Sequence, residues 1–380
     1  MATLLCCIWL IATLITLWGS VLAMLKFKFT ETVTRPRQRP ITILKPIKGI
    51  TSNFEANIES FFQLKFFPGD QIIFCVENNN DSALPIIHKL MRKYPKVKCL
   101  ISTTSRPVGV NPKINNIYHS YEHSINDLVL ISDDNAIAPT DYLDRLDAEF
   151  TNGILTAVIT CQNVKSIGGE LEAMMMGTFY SRGLLLAHWA KHPCVMGKSM
   201  MFRKSEMGVK TVQAAGKFLA EDYAMGLMAR AMGFDVKLMS IPVKQNLGEY
   251  PFHQFWDRHI RWGRLRKYQA PWAFIFEPLF YSFISAGLIG TLGFGMISVQ
   301  TIPAFFMIHL YLWMFAEVLL LNAIGYELSF RAIGVWLLRE LTYLPMWFKI
   351  AIGNQITWKG RQFKIIPGGK ILALAVGSVK

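Results

Sequence analysis

Charge is scarce in this chain. Asp, Glu, Lys and Arg make up 17% of 380 residues, against roughly a quarter in a soluble domain. What charge there is leans one way, with 40 Lys and Arg against 26 Asp and Glu, a formal net charge of +14. A nucleic-acid binder could share that excess but would not need 52% hydrophobic residues. The combination points to a membrane protein with a basic face and no nucleic-acid partner. Low-complexity tracts of Pro, Gly or Ser are missing, which with the apolar content excludes disorder. The six cysteines (Cys6, Cys7, Cys75, Cys99, Cys161 and Cys194) include no CxxC or Cys/His pair at metal-ligand spacing. A disulfide framework and a zinc site are therefore not expected, and free thiols in a reducing compartment are. No P-loop, GxGxxG or Ser/His/Asp arrangement stands out.

The apolar residues are concentrated. No residue from Met1 to Leu25 is charged, a length that spans the hydrocarbon core as a helix. A cleaved signal peptide would have a basic start and a shorter apolar core, so residues 1–26 read as an anchor. A second apolar region, within 271–325, reads as two helices over 276–298 and 302–323 joined at Ser298–Pro303. A third stretch, Ala332–Ile352, carries Arg339, Glu340, Pro345 and Lys349. Those charges are expensive in a spanning helix, so 326–380 is expected to hold an interfacial or re-entrant segment and a basic tail. Lys26, Lys28, Arg35, Arg37 and Arg39 follow the first helix, and Arg258, Arg261, Arg264, Arg266 and Lys267 precede the second. The positive-inside rule then places residues 27–270 in the cytoplasm of a multi-pass protein, against anionic lipid.

That block has the pattern of an α/β domain. Short β-rich runs at Ile41–Lys45, Gln71–Val76, Lys98–Ser102, Asp127–Ile131 and Ala157–Cys161 alternate with helical stretches at Asn53–Phe62, Leu84–Tyr94, Pro112–Glu122 and Asp141–Phe150. Alternation of this kind predicts a largely parallel sheet with ligands at the carboxyl ends of its strands. Polar clusters occur there. Glu77-Asn-Asn-Asn-Asp81 follows the second run and Ser132-Asp-Asp-Asn135 the fourth. The latter suits Mg²⁺ or Mn²⁺ held together with substrate phosphates, and equally an Asx-rich turn before a helix. Glu221-Asp222 opens a further helical pattern, either as a charge pair on the helix dipole or as a general base. Arg258, Arg261 and Trp262 share a helix face. That face could grip a diphosphate or touch anionic lipid.

Taken in order, Asp81, Asp133, Glu221-Asp222 and Arg258-His-Ile-Arg261-Trp262 resemble the D, D, D, (Q/R)xxRW signature of inverting glycosyltransferases. Ile43–Gly49, Gly109–Asn116, Cys194–Ser199, Leu338-Arg-Glu340 and Ile356–Gly360 look similar to the ceramide glucosyltransferase-like family. The resemblance runs over roughly residues 1–367. It implies a GT-A fold, a UDP-sugar donor, a membrane lipid acceptor, most simply glucose and ceramide, and a divalent metal. Carried over, Asp222 is the catalytic base and Asp81 contacts the uridine. Lys113, Arg258, Arg261 and Trp262 bind the donor, and Asp133 and Asn135 hold the metal. Asp134, Glu221 and Cys194 stand in support. Two departures from the family pattern bear on this: Asp-Asp-Asn replaces the usual second motif, and Gly177–Ser181 lacks a histidine found nearby in animal relatives. Compactness and the absence of extra targeting segments point to a bacterial inner-membrane member. A processive synthase, a hopanoid or diacylglycerol transferase and a membrane-tethered binding module are the competing readings.

Overall fold

The computed structural model describes residues 1–29, 36–192, 194–358 and 360–374; Arg35 and the last six residues of the basic tail fall outside them. A long helix, α1 (Ala2–Phe27), precedes the α/β block. There β1 (Ile41–Ile47), α2 (Phe54–Phe62), β2 (Gln71–Val76), α3 (Leu84–Lys93), β3 (Cys99–Ser102), α4 (Pro112–Glu122) and β4 (Leu128–Ile131) follow one another, each close to the range the sequence predicts. The chain continues through β5 (Ala136–Ile137), α5 (Tyr142–Glu149), β6 (Ile154–Thr156), β7 (Ile159–Val164) and α6 (Ile167–Met175). A π-helical turn, Met176–Tyr180, joins α6 to α7 (Ser181–Trp189). Next come β8 (Met200–Arg203), α8 (Lys204–Ala215), α9 (Glu221–Ala231), β9 (Val236–Leu238), β10 (Val243–Gly248) and α10 (Phe252–Gln269).

Seven strands form one sheet in the order β3-β2-β1-β4-β8-β6-β9, with β3 to β4 parallel and β8 antiparallel to both its neighbours. Because side chains alternate along a strand, Ile43 and Leu44 enter different cores. Ile43 joins Phe54, Ile58 and Phe74 under α2, whereas Leu44 joins Ile114, Tyr121 and Phe202 under α4. Apolar residues on both faces are what a sheet covered by helices on both sides requires. A second sheet, β5-β10-β7, sits at the carboxyl end of the first.

The remaining helices are α11 (Pro271–Tyr281), α12 (Phe283–Ile297), α13 (Ile302–Ala323) and α14 (Phe330–Ile352), followed by β11 (Gln355–Trp358), β12 (Arg361–Ile365) and β13 (Ile371–Ala373) in an antiparallel sheet. Two helices, Ala2–Phe27 and Val299–Ala323, are long and apolar enough to cross a membrane. The single helix expected over 276–298 is instead a pair, α11 and α12, bent by 70°. The break falls at Ser282, whose backbone is extended and whose hydroxyl caps α12 by accepting the Ser285 amide. Trp9 Nε1 of α1 donates to His309 Nδ1 of α13 at 3.0 Å, and α12 packs against both.

The charges of α14 are divided: Arg331 and Lys349, near its two ends, are exposed, and the central pair is not. Arg339 and Glu340 are buried and paired at 2.8 Å, while Leu337, Leu338, Leu341 and Phe348 are exposed. Arg339 also lies 3.5 Å from Glu317 of α13, which pairs with Arg182 of α7 at 2.8 Å. The run Met174–Met176 is packing, as its composition suggests: all three side chains are buried.

Candidate active site

The polar cluster after β4 meets the start of α9 through Lys113. Asn111 makes the junction. Its Oδ1 caps α4, accepting the Lys113 amide at 2.8 Å, and the following Pro112 suits the first helical position. Its Nδ2 donates to the Phe218 carbonyl at 2.7 Å and to Glu221 Oε2 at 3.1 Å, which ties α4 to the entry of α9. Lys113 then reaches across the cleft, with Nζ 2.8 Å from both Asp133 Oδ1 and Glu221 Oε1.

Glu221 and Asp222 occupy the first turn of α9, where carboxylates are favoured by the helix dipole. Asp222 accepts the Gly197 amide at 2.7 Å and the Tyr223 amide at 2.8 Å. A Cβ at 197 would crowd both groups, lying 3.0 Å from Asp222 Oδ2 and 3.1 Å from Lys113 Nζ. Burial, reinforced by the Glu221 charge, pushes the Asp222 carboxyl up to about 6, against the pull of Lys113. A carboxylate poised near neutrality has the proton affinity of a general base.

Asp133 differs. Desolvation opposes its ionisation, but Lys113 and Lys198 hold it down to about 2. Lys198 Nζ lies 3.7 Å from Asp133 Oδ2 and 2.6 Å from Asn135 Oδ1. Lys45 Nζ donates to the Asp133 carbonyl at 2.8 Å and rests 3.4 Å from the Phe61 ring centroid. Two adjacent carboxyls, one kept ionised and one holding a proton more readily, divide an anchoring role from a proton-accepting one.

The last sequence motif is split by the structure. Arg258, expected to grip the donor directly, gives Nη1 to the fully buried Glu172 at 2.7 Å and stacks over Trp262 at 5.1 Å. Although burial opposes it, Arg258 and His259 hold Glu172 down to about 2. Arg261 has no hydrogen-bond or ion-pair partner among the described residues. Desolvation and the charge of Arg258 pull it down to about 10, so it remains a cation at neutral pH. Both arginines and Trp262 line the cleft.

One cavity of about 1920 Å³ joins these groups, lined also by Asp134, Asn135, Glu221 and Cys194. Burial pushes the Cys194 thiol up to about 12, which leaves it no thiolate with which to act. Asp81 is not among the lining residues. Its carboxylate accepts the amides of Gly49 at 3.0 Å and Ala83 at 2.9 Å, and so fixes the loop that brings Lys48 to the cavity wall. Sequence reasoning missed Lys45, Lys198 and Glu172. Lys45 had a signal as the one charge in β1, and Glu172, two residues after Glu170, precedes the apolar run Ala173–Met176. Lys198 stands inside a motif quoted for other reasons.

Known proteins resemble this chain over most of its length. The glycosyl transferase family 21 profile matches residues 4–371. Ceramide glucosyltransferase 3 of Caenorhabditis elegans is 30% identical over 91% of this chain and 77% of its own length. Ceramide glucosyltransferase of Komagataella phaffii is 28% identical over 94% of this chain and 89% of its own. Among solved structures, a mannosyltransferase from Pyrobaculum calidifontis in complex with GDP-Man and Mn²⁺ aligns with 92% of this chain and 95% of its own, at 14% identity and a TM-score of 0.48. The profile leaves out little beyond the chain ends, and the protein belongs to glycosyl transferase family 21 as a membrane-bound glycosyltransferase.

Proposed function

We propose that the protein transfers glucose from UDP-glucose to the primary hydroxyl of ceramide in a single inverting displacement. The observation that carries this reading is the placement of Asp222. A carboxyl pushed up to about 6 shares one cavity with the anchored Asp133 and with Arg261, a cation without an ion-pair partner among the described residues. In this mechanism Asp222 takes the acceptor hydroxyl proton as the oxygen forms its bond to the anomeric carbon. The bond from that carbon to the β-phosphate oxygen breaks, and UDP leaves with the electron pair. Arg261 and Lys198 face the departing diphosphate, where negative charge develops. Arg258, held by Glu172, positions Trp262 and the arginine helix, and Asp81 acts on the uridine end through the loop it fixes.

The donor set also fits a divalent cation, Mg²⁺ or Mn²⁺. Asp133, Asp134 and Asn135 bring hard oxygen ligands to one wall of the cavity. When bound, the cation would neutralise the diphosphate and stabilise its departure. Lys113 and Lys198, now on those oxygens, would shift toward the phosphates. Excess EDTA is expected to stop transfer and Mn²⁺ or Mg²⁺ to restore it; full turnover in EDTA would remove the metal from the account.

The exposed apolar side of α14, opposite its buried ion pairs, supports an orientation in which α14 lies against lipid and the catalytic block is cytoplasmic. In a bacterial cell that membrane would be the inner one. Transfer is expected to decline as pH falls through about 6. Asp222 there takes up a proton and ceases to accept one, whereas above that pH it is ionised and competent. A rate profile at saturating substrates checks this, and a flat rate from pH 5 to 8 would contradict it. Labelled UDP-glucose, UDP-galactose, UDP-glucuronic acid and UDP-N-acetylglucosamine, each offered with ceramide or diacylglycerol, test the substrate pair. Preferential labelling of ceramide by UDP-glucose is expected. A labelled polymer, or label only in diacylglycerol, would overturn the assignment.

A further inference from the structure

The cavity is larger than its polar end can use. Small-ligand pockets run to about 1,000 Å³ at the upper end, against about 1920 Å³ here. Past Asp222 the wall changes character. It is formed by Gly183, Ala187 and Trp189 of α7, by Trp272 and Phe280 of α11, and by Ile15 of α1. Ile15 lies within one of the two helices apolar enough to cross a membrane, and α11 is the first limb of the bent pair. Trp272 is 74% exposed and Trp189 58% exposed, the latter edge-on to Trp18 of α1 at 5.7 Å. Exposed indoles on either side of an opening mark the headgroup level of a bilayer.

Small residues keep this end open. Gly183 and Ala187 stand four apart on α7 and so share a face. A Cβ added at Gly183 would meet Tyr281 only at 3.6 to 3.9 Å, which is ordinary contact. Tyr281 of α11 thus stands at contact distance across from Gly183, and the α7 wall is low at Gly183 and Ala187, with Leu184 and Leu186 completing it.

We propose that the gap between α7 and α11 is a lateral portal through which a hydrocarbon chain of the acceptor lipid enters from the bilayer. The inference rests on the lipid-glycosyltransferase reading and adds the path. The chain lies along Gly183 and Ala187 while the hydroxyl end reaches Asp222. The rest of the lipid never leaves the membrane, so its methylenes are not exposed to water.

A long-chain ceramide carrying a photoactivatable diazirine in its acyl chain, incorporated into phosphatidylcholine vesicles with the full-length protein, tests this directly. Irradiation is expected to label residues 181–190 and 271–281, and Ala187→Phe to reduce that labelling while UDP binding is retained. In turnover, Ala187→Phe should lower kcat/KM for the long-chain acceptor by about tenfold or more, the scale on which a filled apolar pocket discriminates. A six-carbon acceptor should be affected much less. Labelling confined to other segments, or a parallel loss of long and short acceptors with UDP binding intact, would overturn the portal. If these segments are labelled but no sugar is transferred to any lipid, the portal stands and the substrate assignment fails. If glucosylation proceeds without label here, the reverse holds.

Discussion

Replacing Asp222 with Asn is expected to lower glucosyl transfer by about 10²–10⁴-fold, the range a positioned proton acceptor contributes, and to leave UDP binding unchanged. The substitution preserves volume, and the Asn oxygen can still accept the Gly197 amide at 2.7 Å, although its NH2 group then faces the Tyr223 amide. What it loses is basicity. Glu221 next door is poorly placed to substitute, because its oxygens receive Lys113 Nζ at 2.8 Å and Asn111 Nδ2 at 3.1 Å. Calorimetric titration with UDP separates loss of chemistry from loss of fold. Wild-type turnover in Asp222→Asn would show that another group takes the proton.

The second large effect concerns stability. Glu317 of α13 sits between Arg182 of α7 and Arg339 of α14, at 2.8 and 3.5 Å, with all three side chains buried. Removing one member of a buried ion pair leaves an uncompensated charge, a loss of about 3–5 kcal/mol. Glu317→Ala strands part of two guanidinium groups and should lie at the upper end. Taking out both members, with Arg182→Met and Glu317→Leu, leaves Arg339 neutralised by Glu340 and is expected to cost markedly less than Glu317→Ala alone. Thermal unfolding in detergent micelles reads the difference. A double variant as unstable as the single one would show that the network's value lies elsewhere than in charge balance. Because Arg182 lies on α7 and Glu317 on α13, this cluster also ties the α/β block to its membrane helices.

These two sites differ in how far the sequence announces them. The parallel strands are legible because β1, β2 and β4 are apolar on both faces, and Glu221-Asp222 is legible because it opens a helical pattern. The same holds for Asp133, at the carboxyl end of a strand where ligands collect. The Arg182–Glu317 pair is not legible, because its partners are far apart in the chain and each looks like an isolated charge in an apolar helix. The partner of Arg258 is hidden for the same reason. Helical spacing places Arg258, Arg261 and Trp262 on one face but cannot show that Glu172 occupies the first of them and leaves the second without an ion-pair partner among the described residues. The break at Ser282 escapes because its signal is local and weak. A serine cap and a proline at 278 are tolerated in membrane helices, so composition reads straight through. The small sheet of β11 to β13 is short and covers Leu265 and Leu219 with only a few apolar residues, Ile356, Phe363 and Ile371 among them.

The central claim is a single displacement in which Asp222 delivers a lipid hydroxyl to an α-linked donor. The most direct test is the anomeric configuration and attachment point of the product, read by NMR after incubation of the purified protein with UDP-glucose and ceramide. The account predicts one glucose, β-linked to the primary hydroxyl. An α-linked product would require a second displacement or a front-side path, and would contradict it.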